Sequence, residues 1–171
     1  MWKLSKISLL CVFIAGLIPL WGNSDASGDG RTLILSENFD SVSAPNLPTG
    51  WTVINNDNDN QTWVTHTVSP ISPPNSLWSA FSNSEPKDDY LVTPPLQLTS
   101  GQTYYVSFKF RSGYMDWEKF RVLLGSAPSV SSLNTVVYNN PGFNNDVPQT
   151  ATATFTIGTT GTYYLAWHHY S

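Results

Sequence analysis

Cysteine is almost absent from this sequence: among 171 residues there is one, Cys11, in an apolar stretch near the N-terminus. We predict that residues 1–26 are a secretory signal peptide, because Lys3 and Lys6 precede this stretch and the small residues up to Ala26 offer a cleavage site. About 15 apolar residues are fewer than the ~20 that span a bilayer. Removal of residues 1–26 would leave no cysteine, which excludes disulfides, thiolate metal sites and cysteine nucleophiles.

Charged residues are also scarce. They make up 12% of the chain, and the formal net charge is −4 at pH 7. No stripe of Lys and Arg is present, which argues against nucleic acid and against an anionic membrane surface as partners. Ser, Thr and Asn are abundant instead, which is typical of an extracellular β-module.

No segment keeps apolar residues at the 3.6-residue spacing of an amphipathic helix over three turns. Short runs of alternating apolar and polar residues, bounded by Gly, Pro, Asn or Asp, predict β-strands. These runs lie at residues 32–36, 51–55, 61–67, 77–81, 89–92, 103–111, 118–124, 134–138, 150–157 and 162–169. We therefore predict an all-β fold, a two-sheet antiparallel β-sandwich, over residues 32–171. Residues 27–31 form a flexible leader in this interpretation.

A set of motifs follows a fixed order along this domain. They are LPTGWTVI at residues 47–54 with the Asn- and Asp-rich segment after it, DDYLVTPPL at 88–96, MDWEKFRV at 115–122, and YYLAWHHY at 163–170. In order and spacing they resemble the cleaved-adhesin or choice-of-anchor J family of bacterial secreted jelly-roll modules, best known from gingipains. The resemblance covers roughly residues 33–170 and implies a sandwich of jelly-roll type.

The resemblance also implies a function. Such modules bind a host protein, matrix or glycan ligand at the cell surface or outside the cell, and they usually accompany other domains in a longer chain. In the family one more strand usually follows the position of Ser171, so the resemblance implies a domain that lacks its last strand. It assigns Asp88 and Asp89 a structural role at the start of a strand, with metal binding as the alternative.

Residues 55–60 are the strongest candidate for a metal site, because Asp57 and Asp59 alternate there with Asn side chains. Ca²⁺ takes about six to eight oxygen ligands, which a loop of this composition can supply. We identify Asn55, Asp57 and Asp59 as candidate ligands of a structural calcium ion. The alternative is a solvated turn, since Asn and Asp tolerate left-handed conformations.

The resemblance implies a second calcium position. In jelly-roll modules of this kind an acidic residue after the first strand often shares Ca²⁺ with carboxylates on the last strand. Asp40 matches that position and Glu37 matches it less well. The alternative is that Asp40 caps a turn.

Tryptophan and tyrosine supply candidate ligand-binding residues. Sugar-binding sandwiches stack exposed rings against pyranose faces, and Trp63, Trp78, Tyr114 and Trp117 are the candidates for such a strip. A carbohydrate-binding module accessory to a secreted hydrolase is therefore the alternative function. A sandwich without disulfides, however, also needs large aromatic side chains for its core, so these rings equally fit buried positions.

No catalytic motif is present. The sequence has no G-x-S-x-G elbow and no H-E-x-x-H zinc motif. His168 and His169 are adjacent on a predicted strand and therefore point to opposite faces, so they cannot chelate one ion together. An enzyme would require convergent acidic residues, of which Asp116 with Glu118 or Asp146 are the candidates. We predict that the chain is not an enzyme.

Overall fold

The computed structural model describes residues 6–17, 31–80, 86–113 and 117–171, with side chains for residues 32–80, 86–113 and 117–171. The described chain consists of β-strands and loops. The strands are β1 (Lys6–Leu17), β2 (Arg31–Glu37), β3 (Thr52–Asn55), β4 (Trp63–His66), β5 (Ser76–Ala80), β6 (Asp89–Val92), β7 (Leu96–Leu98), β8 (Thr103–Ser112), β9 (Glu118–Gly125), β10 (Thr135–Phe143), β11 (Gln149–Thr156) and β12 (Gly161–His169).

The strands form two six-stranded sheets, and every described pairing is antiparallel. Sheet A has the order β11-β8-β1-β5-β4, with β2 also paired to β1. Sheet B has the order β10-β9-β12-β6-β3, with β7 also paired to β12. The predicted all-β sandwich is confirmed, and the strand containing the YYLAWHHY motif is central in its sheet.

Alternation along the strands explains how the two sheets pack. In β8 the side chains of Tyr104, Val106, Phe108 and Phe110 are buried, while Lys109 is exposed. The ring of Phe108 lies 5.5 Å from that of Trp167 on β12, in an edge-on contact between the sheets. The core therefore lies between the sheets and is rich in aromatic rings, in keeping with the absence of disulfides from the described residues.

The connection before β3 contains the turn of the LPTGWTVI motif. Gly50 has a φ of +87°, a conformation that residues with a Cβ rarely adopt. A Cβ at this position would lie 3.1 Å from Pro94 Cγ. The turn directs the next residue, Trp51, into the core beside Phe39 and Trp167.

β1 lies within the segment that the sequence predicts to be a signal peptide. Its backbone pairs with β8 on one side and with β2 and β5 on the other. Ile14, for example, is opposite Leu35 on β2 and Val106 on β8. Cleavage near Ala26, which lies outside the described residues, stays a prediction, as does the flexible leader at residues 27–31. In the described part of the chain, no helix is long and apolar enough to cross a membrane.

Candidate functional site

The pairing of β3 with β6 brings two polar segments together. Asn55, the last residue of β3, is opposite Asp89, the first residue of β6. The loop after β3 and the segment before β6 therefore meet at one end of sheet B. Backbone hydrogen bonds join them, since the Asn56 amide donates to the Asp88 carbonyl at 3.1 Å. The candidate site consists of these two segments and of the adjoining parts of β9 and β12.

Lys87 lies at the centre of the acidic side chains in this region. Its Nζ is 2.5 Å from Asp89 Oδ2, 3.2 Å from Asp59 Oδ2 and 3.5 Å from Asp57 Oδ2. It also donates to the Gln61 carbonyl at 2.5 Å. Lys87 is 3% exposed and Asp89 is 0% exposed. The sequence predicts two of these carboxylates as metal ligands, but their observed neighbour is an ammonium group.

The carboxylate oxygens of this cluster also accept other hydrogen bonds. Asp57 accepts from the Asp59 amide and the Asp88 amide, both at 3.2 Å. Asp59 Oδ1 accepts from the Gln61 amide at 2.7 Å. Asp89 Oδ1 accepts from the Thr62 hydroxyl at 3.2 Å. Each of the six oxygens therefore has a donor or the Lys87 ammonium beside it.

Burial and charge act in opposite directions on the pKa values here. Burial lowers the pKa of Lys87, but Asp89, Asp59 and Asp57 together raise it further, so it ends above its ordinary value. Burial raises the pKa of Asp89, and the ammonium of Lys87 offsets this only in part. Lys87 is thus protonated at neutral pH, and the cluster contains a permanent cation.

The three carboxylates could hold a metal ion, since one ligand atom from each of Asp57, Asp59 and Asp89 lies within 4.8 Å of the others. Asn55 is next to this cluster: its Nδ2 donates to the Asp59 carbonyl at 2.6 Å, and its Oδ1, the atom that would bind a metal, is buried with no hydrogen-bond partner among the described residues. Glu37 and Asp40 do not join the cluster. Glu37 accepts from the Phe39 amide at 2.7 Å, and Asp40 accepts from Asn38 Nδ2 at 2.8 Å, within one turn after β2. The five predicted calcium ligands therefore occupy two separate places.

An open pocket of 640 Å³ adjoins the cluster on the outer face of sheet B. Three parts of the chain line this pocket: the segment that precedes β6, the strand β9, and the end of β12. Its lining residues are Asp57, Pro86, Lys87, Asp88, Tyr90, Arg121, His168 and Tyr170. Asp88, Arg121 and Tyr170 are partly exposed, whereas Tyr90 and His168 form a buried floor.

A chain of hydrogen bonds fixes this floor. Arg121 Nε donates to His168 Nδ1 at 3.0 Å, so the ring proton of neutral His168 is on Nε2, which donates to Asp88 Oδ1 at 2.7 Å. The rings of Tyr90 and His168 are stacked, with centroids 4.0 Å apart and planes 5° apart. The Arg121 guanidinium lies 5.2 Å from the centre of the Tyr170 ring.

The pKa values follow from these contacts. Burial and the nearby Arg121 lower the pKa of His168 to about 4, against the opposing effect of Asp88. Burial and the Asp88 carboxylate raise the pKa of Tyr90 to about 12. For Asp88, burial raises the pKa, but hydrogen bonds from Asn56 and His168 bring it below its ordinary value. At neutral pH the accessible charges are therefore Asp88 and Arg121, above uncharged rings.

The predicted ligand-binding aromatics do not meet at one exposed strip among the described residues. Trp63 is 1% exposed, and its Nε1 donates to the Asp89 carbonyl at 3.2 Å. Trp78 is half-buried and its ring lies 4.1 Å from that of His66. Trp117 is 70% exposed. Tyr114 lies outside the described residues, as does Asp116.

A buried polar network joins the two sheets behind the pocket. His169 Nε2 is 2.9 Å from Glu118 Oε2, and His169 Nδ1 is 2.8 Å from Ser79 Oγ. The residue types are those of serine–histidine–acid catalysis, which needs a hydroxyl that a substrate can reach. All three side chains are fully buried. The side chains of His168 and His169 lie on opposite faces of sheet B, as their adjacent positions on one strand require.

Sequence reasoning missed Lys87, Arg121 and Tyr170 as site residues. A signal existed for Lys87, because it is two residues before Asp89 and an extended segment places alternate residues on one side. Arg121 and Tyr170 gave no such signal, since the pocket depends on the pairing of β9 with β12. In the structure Asp89 contacts Lys87 Nζ and the Thr62 hydroxyl, and Asp88 lines the pocket; the structural role that the resemblance implies for both stays a prediction.

None of the family models matches this chain, and none of the curated proteins matches it. Solved structures do. The K1 cleaved adhesin domain of Lys-gingipain from Porphyromonas gingivalis W83 is similar with a TM-score of 0.58 and 19% identity, over 73% of this chain and 83% of that one. The K3 cleaved adhesin domain of the same protein has a TM-score of 0.51 and 19% identity, over 72% and 84%. This chain therefore has the fold of the gingipain cleaved adhesin domains, as its sequence motifs predict.

Proposed function

We propose that this chain is a non-catalytic, adhesin-like binding module of a secreted or cell-surface protein. Its ligand would be a host protein, a matrix component or a glycan, and other domains of a longer chain would be its neighbours. The pocket on the outer face of sheet B carries this proposal, because it places Asp88, Arg121 and Tyr170 side by side at an accessible surface. The shared fold with the gingipain adhesin domains supports it.

The chemistry of the pocket suits a ligand that both donates and accepts hydrogen bonds. Asp88 is an acceptor and the terminal nitrogens of Arg121 are donors, while the Tyr170 ring offers an apolar face. The stacked floor of Tyr90 and His168 holds Arg121 and Asp88 in place before a ligand arrives. Such preorganisation reduces the ordering cost of binding. A glycan and a polar peptide segment both meet these requirements.

The absence of catalysis in this proposal is supported by where the acidic groups lie. Glu118 is buried against His169, so it cannot act on a bound substrate with Asp146, which lies in an exposed loop. Asp57, Asp59 and Asp89 surround Lys87. A structural calcium ion at this cluster is not part of the proposed function, because the Lys87 ammonium lies among the same oxygens.

Binding of the full chain to immobilised matrix proteins and to a glycan panel tests the proposal. For any ligand retained by the wild type, Arg121→Met should weaken binding about tenfold or more, because a hydrogen bond to a charged group contributes about 1.5–3 kcal/mol. Lys109→Met is the matched control, since it removes one positive charge from an exposed position of sheet A. Equal losses in both variants, or none in Arg121→Met, would contradict the assignment of the pocket.

The carbohydrate-binding alternative has one observation in its favour, the exposed ring of Trp117. This ring lies against Gly142, where an added Cβ would be 3.4 Å from it, and leaves most of its surface to solvent. If glycan stacking on this ring is the main contact, Trp117→Ala should abolish retention on the glycan panel while Arg121→Met keeps it. The reverse pattern would favour the pocket.

A further inference from the structure

The position of Lys87 Nζ resembles that of a bound cation. Oxygen atoms of Asp57, Asp59, Asp89 and Gln61 surround it at 2.5–3.5 Å. We infer that the Lys87 ammonium takes the place of a metal ion in this cluster, so that the chain supplies its structural cation as a side chain. The domain is then independent of calcium at the loop where its sequence most strongly predicts a calcium site. This inference does not depend on the proposed binding function.

The need for a cation comes from burial. Asp89 is fully buried at the start of β6, and the side chains of Asp57 and Asp59 are 7% and 13% exposed. An isolated buried carboxylate is strongly unfavourable, and several together repel one another as well. A positive charge among the carboxylates offsets both the cost of burying them and their mutual repulsion. The loop can obtain it from solvent, as a metal ion, or from the chain.

The local sequence places the lysine to do this. In the extended segment before β6, Lys87 and Asp89 are two residues apart and point to the same side, toward the loop after β3. Asp88 points to the other side and contacts His168 in the pocket. The Lys87 amide also donates to the Ser171 carbonyl at 2.9 Å, which ties its backbone to the end of the chain.

A metal ion and this ammonium cannot share the cluster. Ca²⁺ binds oxygens at about 2.3–2.6 Å, so an ion bound to the same carboxylates would lie within a few ångström of Nζ. Two like charges at that distance repel strongly in a poorly solvated place. Binding would require Lys87 to leave, and its side chain is 2% exposed and held by three carboxylates and the Gln61 carbonyl. The remaining carboxylate oxygens accept from amides and a hydroxyl rather than being left free.

Thermal melts of the full chain in EDTA and in excess CaCl₂ test the inference directly. The expected result is the same melting temperature in both solutions. A rise with CaCl₂ concentration that Asp57→Asn abolishes would show that calcium binds this cluster, and the inference would fail.

Chemical modification of lysines provides a second readout on the unaltered chain. Reductive methylation followed by peptide mass spectrometry should modify the exposed Lys109 and Lys119 and leave Lys87 unmodified, with or without CaCl₂. If CaCl₂ makes Lys87 reactive, the ion displaces the ammonium and the inference fails. Both measurements use the wild type, so they decide the question even if lysine variants do not fold.

The Lys87→Met variant tests whether a metal ion can replace the Lys87 ammonium once that group is removed. It should melt about 6–20 °C lower in EDTA, because it leaves buried carboxylates without their partner. Millimolar CaCl₂ should then recover part of the loss, since the vacated oxygens can bind the ion. Lys109→Met should show neither effect, and adding Asp57→Asn to Lys87→Met should remove the recovery. A folded Lys87→Met variant that does not respond to CaCl₂ or MgCl₂ would contradict the inference.

Discussion

In this protein the side of an extended segment on which a side chain lies determines what that side chain contacts. Lys87 and Asp89 face the loop after β3, and Asp88 between them faces the pocket. His168 lies in the pocket, and its neighbour His169 lies in the core. Identical residue types in adjacent positions are therefore under different constraints, which strand alternation imposes.

His168 should make stability depend on pH. Its pKa is about 4 in the folded protein and about 6.5 in an unfolded chain. Between these values the unfolded chain binds the proton and the folded chain does not, so the free energy of unfolding decreases as pH falls from 6.5 to 4. With respect to His168, the free energy of unfolding is highest above pH 6.5, and its total decrease by pH values below 4 is about 3 kcal/mol.

Urea unfolding at several pH values between 7 and 4 measures this effect. His168→Gln keeps a polar side chain but cannot titrate, so its stability should fall less steeply over this range. The lowered pKa of Asp88 adds a further loss at acid pH, of which the part due to the Asn56 hydrogen bond persists in the variant. Equal slopes for wild type and variant would show that His168 is not the titrating group.

The sequence revealed some of these residues and concealed others. Asp57 and Asp59 are recognisable as a cluster because both lie in one short polar loop. Lys87 is separated from them by 28 to 30 positions, counted as 87 − 59 and 87 − 57, and only the pairing of β3 with β6 brings it near. The burial of Trp63 was one of two alternatives that the sequence left open, and β6 decides it by lying close enough for Trp63 Nε1 to donate to the Asp89 carbonyl.

At the scale of strands, β12 connects the pocket of the candidate site with the buried network around His169. It pairs with β6 and β9, the strands that carry Tyr90 and Arg121 into the pocket. On its inner side His169 bonds with Glu118 of the neighbouring β9 and with Ser79 of β5 in sheet A. The same strand therefore shapes the outer pocket and joins the two sheets.

A double-mutant cycle tests the contact between Glu118 and His169 in this network. Glu118→Leu should destabilise the protein by about 1–3 kcal/mol, because it leaves a buried nitrogen of His169 without its partner. Glu118→Leu combined with His169→Phe removes both polar groups and should cost less than the sum of the single changes, by about 1 kcal/mol or more. Equilibrium urea unfolding gives each value.

The control is Glu118→Leu combined with Lys109→Met, whose effects should add, since Lys109 is exposed on sheet A. Additive effects for Glu118 and His169 would mean that their contact at 2.9 Å contributes little.

Most strands could be predicted because alternation is a direct consequence of a sheet with one buried face. The predicted run at 103–111 matches β8, and the run at 162–169 matches β12 within one residue at its start. β7 has three residues, which is too short for alternation to be recognised. β1 is a continuous apolar run, which fits a strand paired on both sides and a signal peptide equally well.

At the scale of the molecule, β1 is a structural member of sheet A. A chain of residues 27–171 should therefore melt at a lower temperature than the full chain and associate through the unpaired edges of β8, β2 and β5. Ile14→Pro in the full chain should have a related, smaller effect, since proline cannot donate in a ladder. Calorimetry and size-exclusion chromatography measure both.

An unchanged melting temperature and a monomeric elution volume for residues 27–171 would contradict this prediction. They would show that the two sheets close without β1.

Because β1 is a central strand of sheet A, folding of the chain would compete with its export. A segment that is hydrogen-bonded along both of its edges inside a sheet is not accessible to export machinery that must bind it in an extended or helical form. If residues 1–26 act as the predicted signal, the precursor can be exported only while it is still unfolded. A polypeptide that completes this sandwich too early would remain in the compartment where it was made, so the speed of folding would limit how much of it leaves.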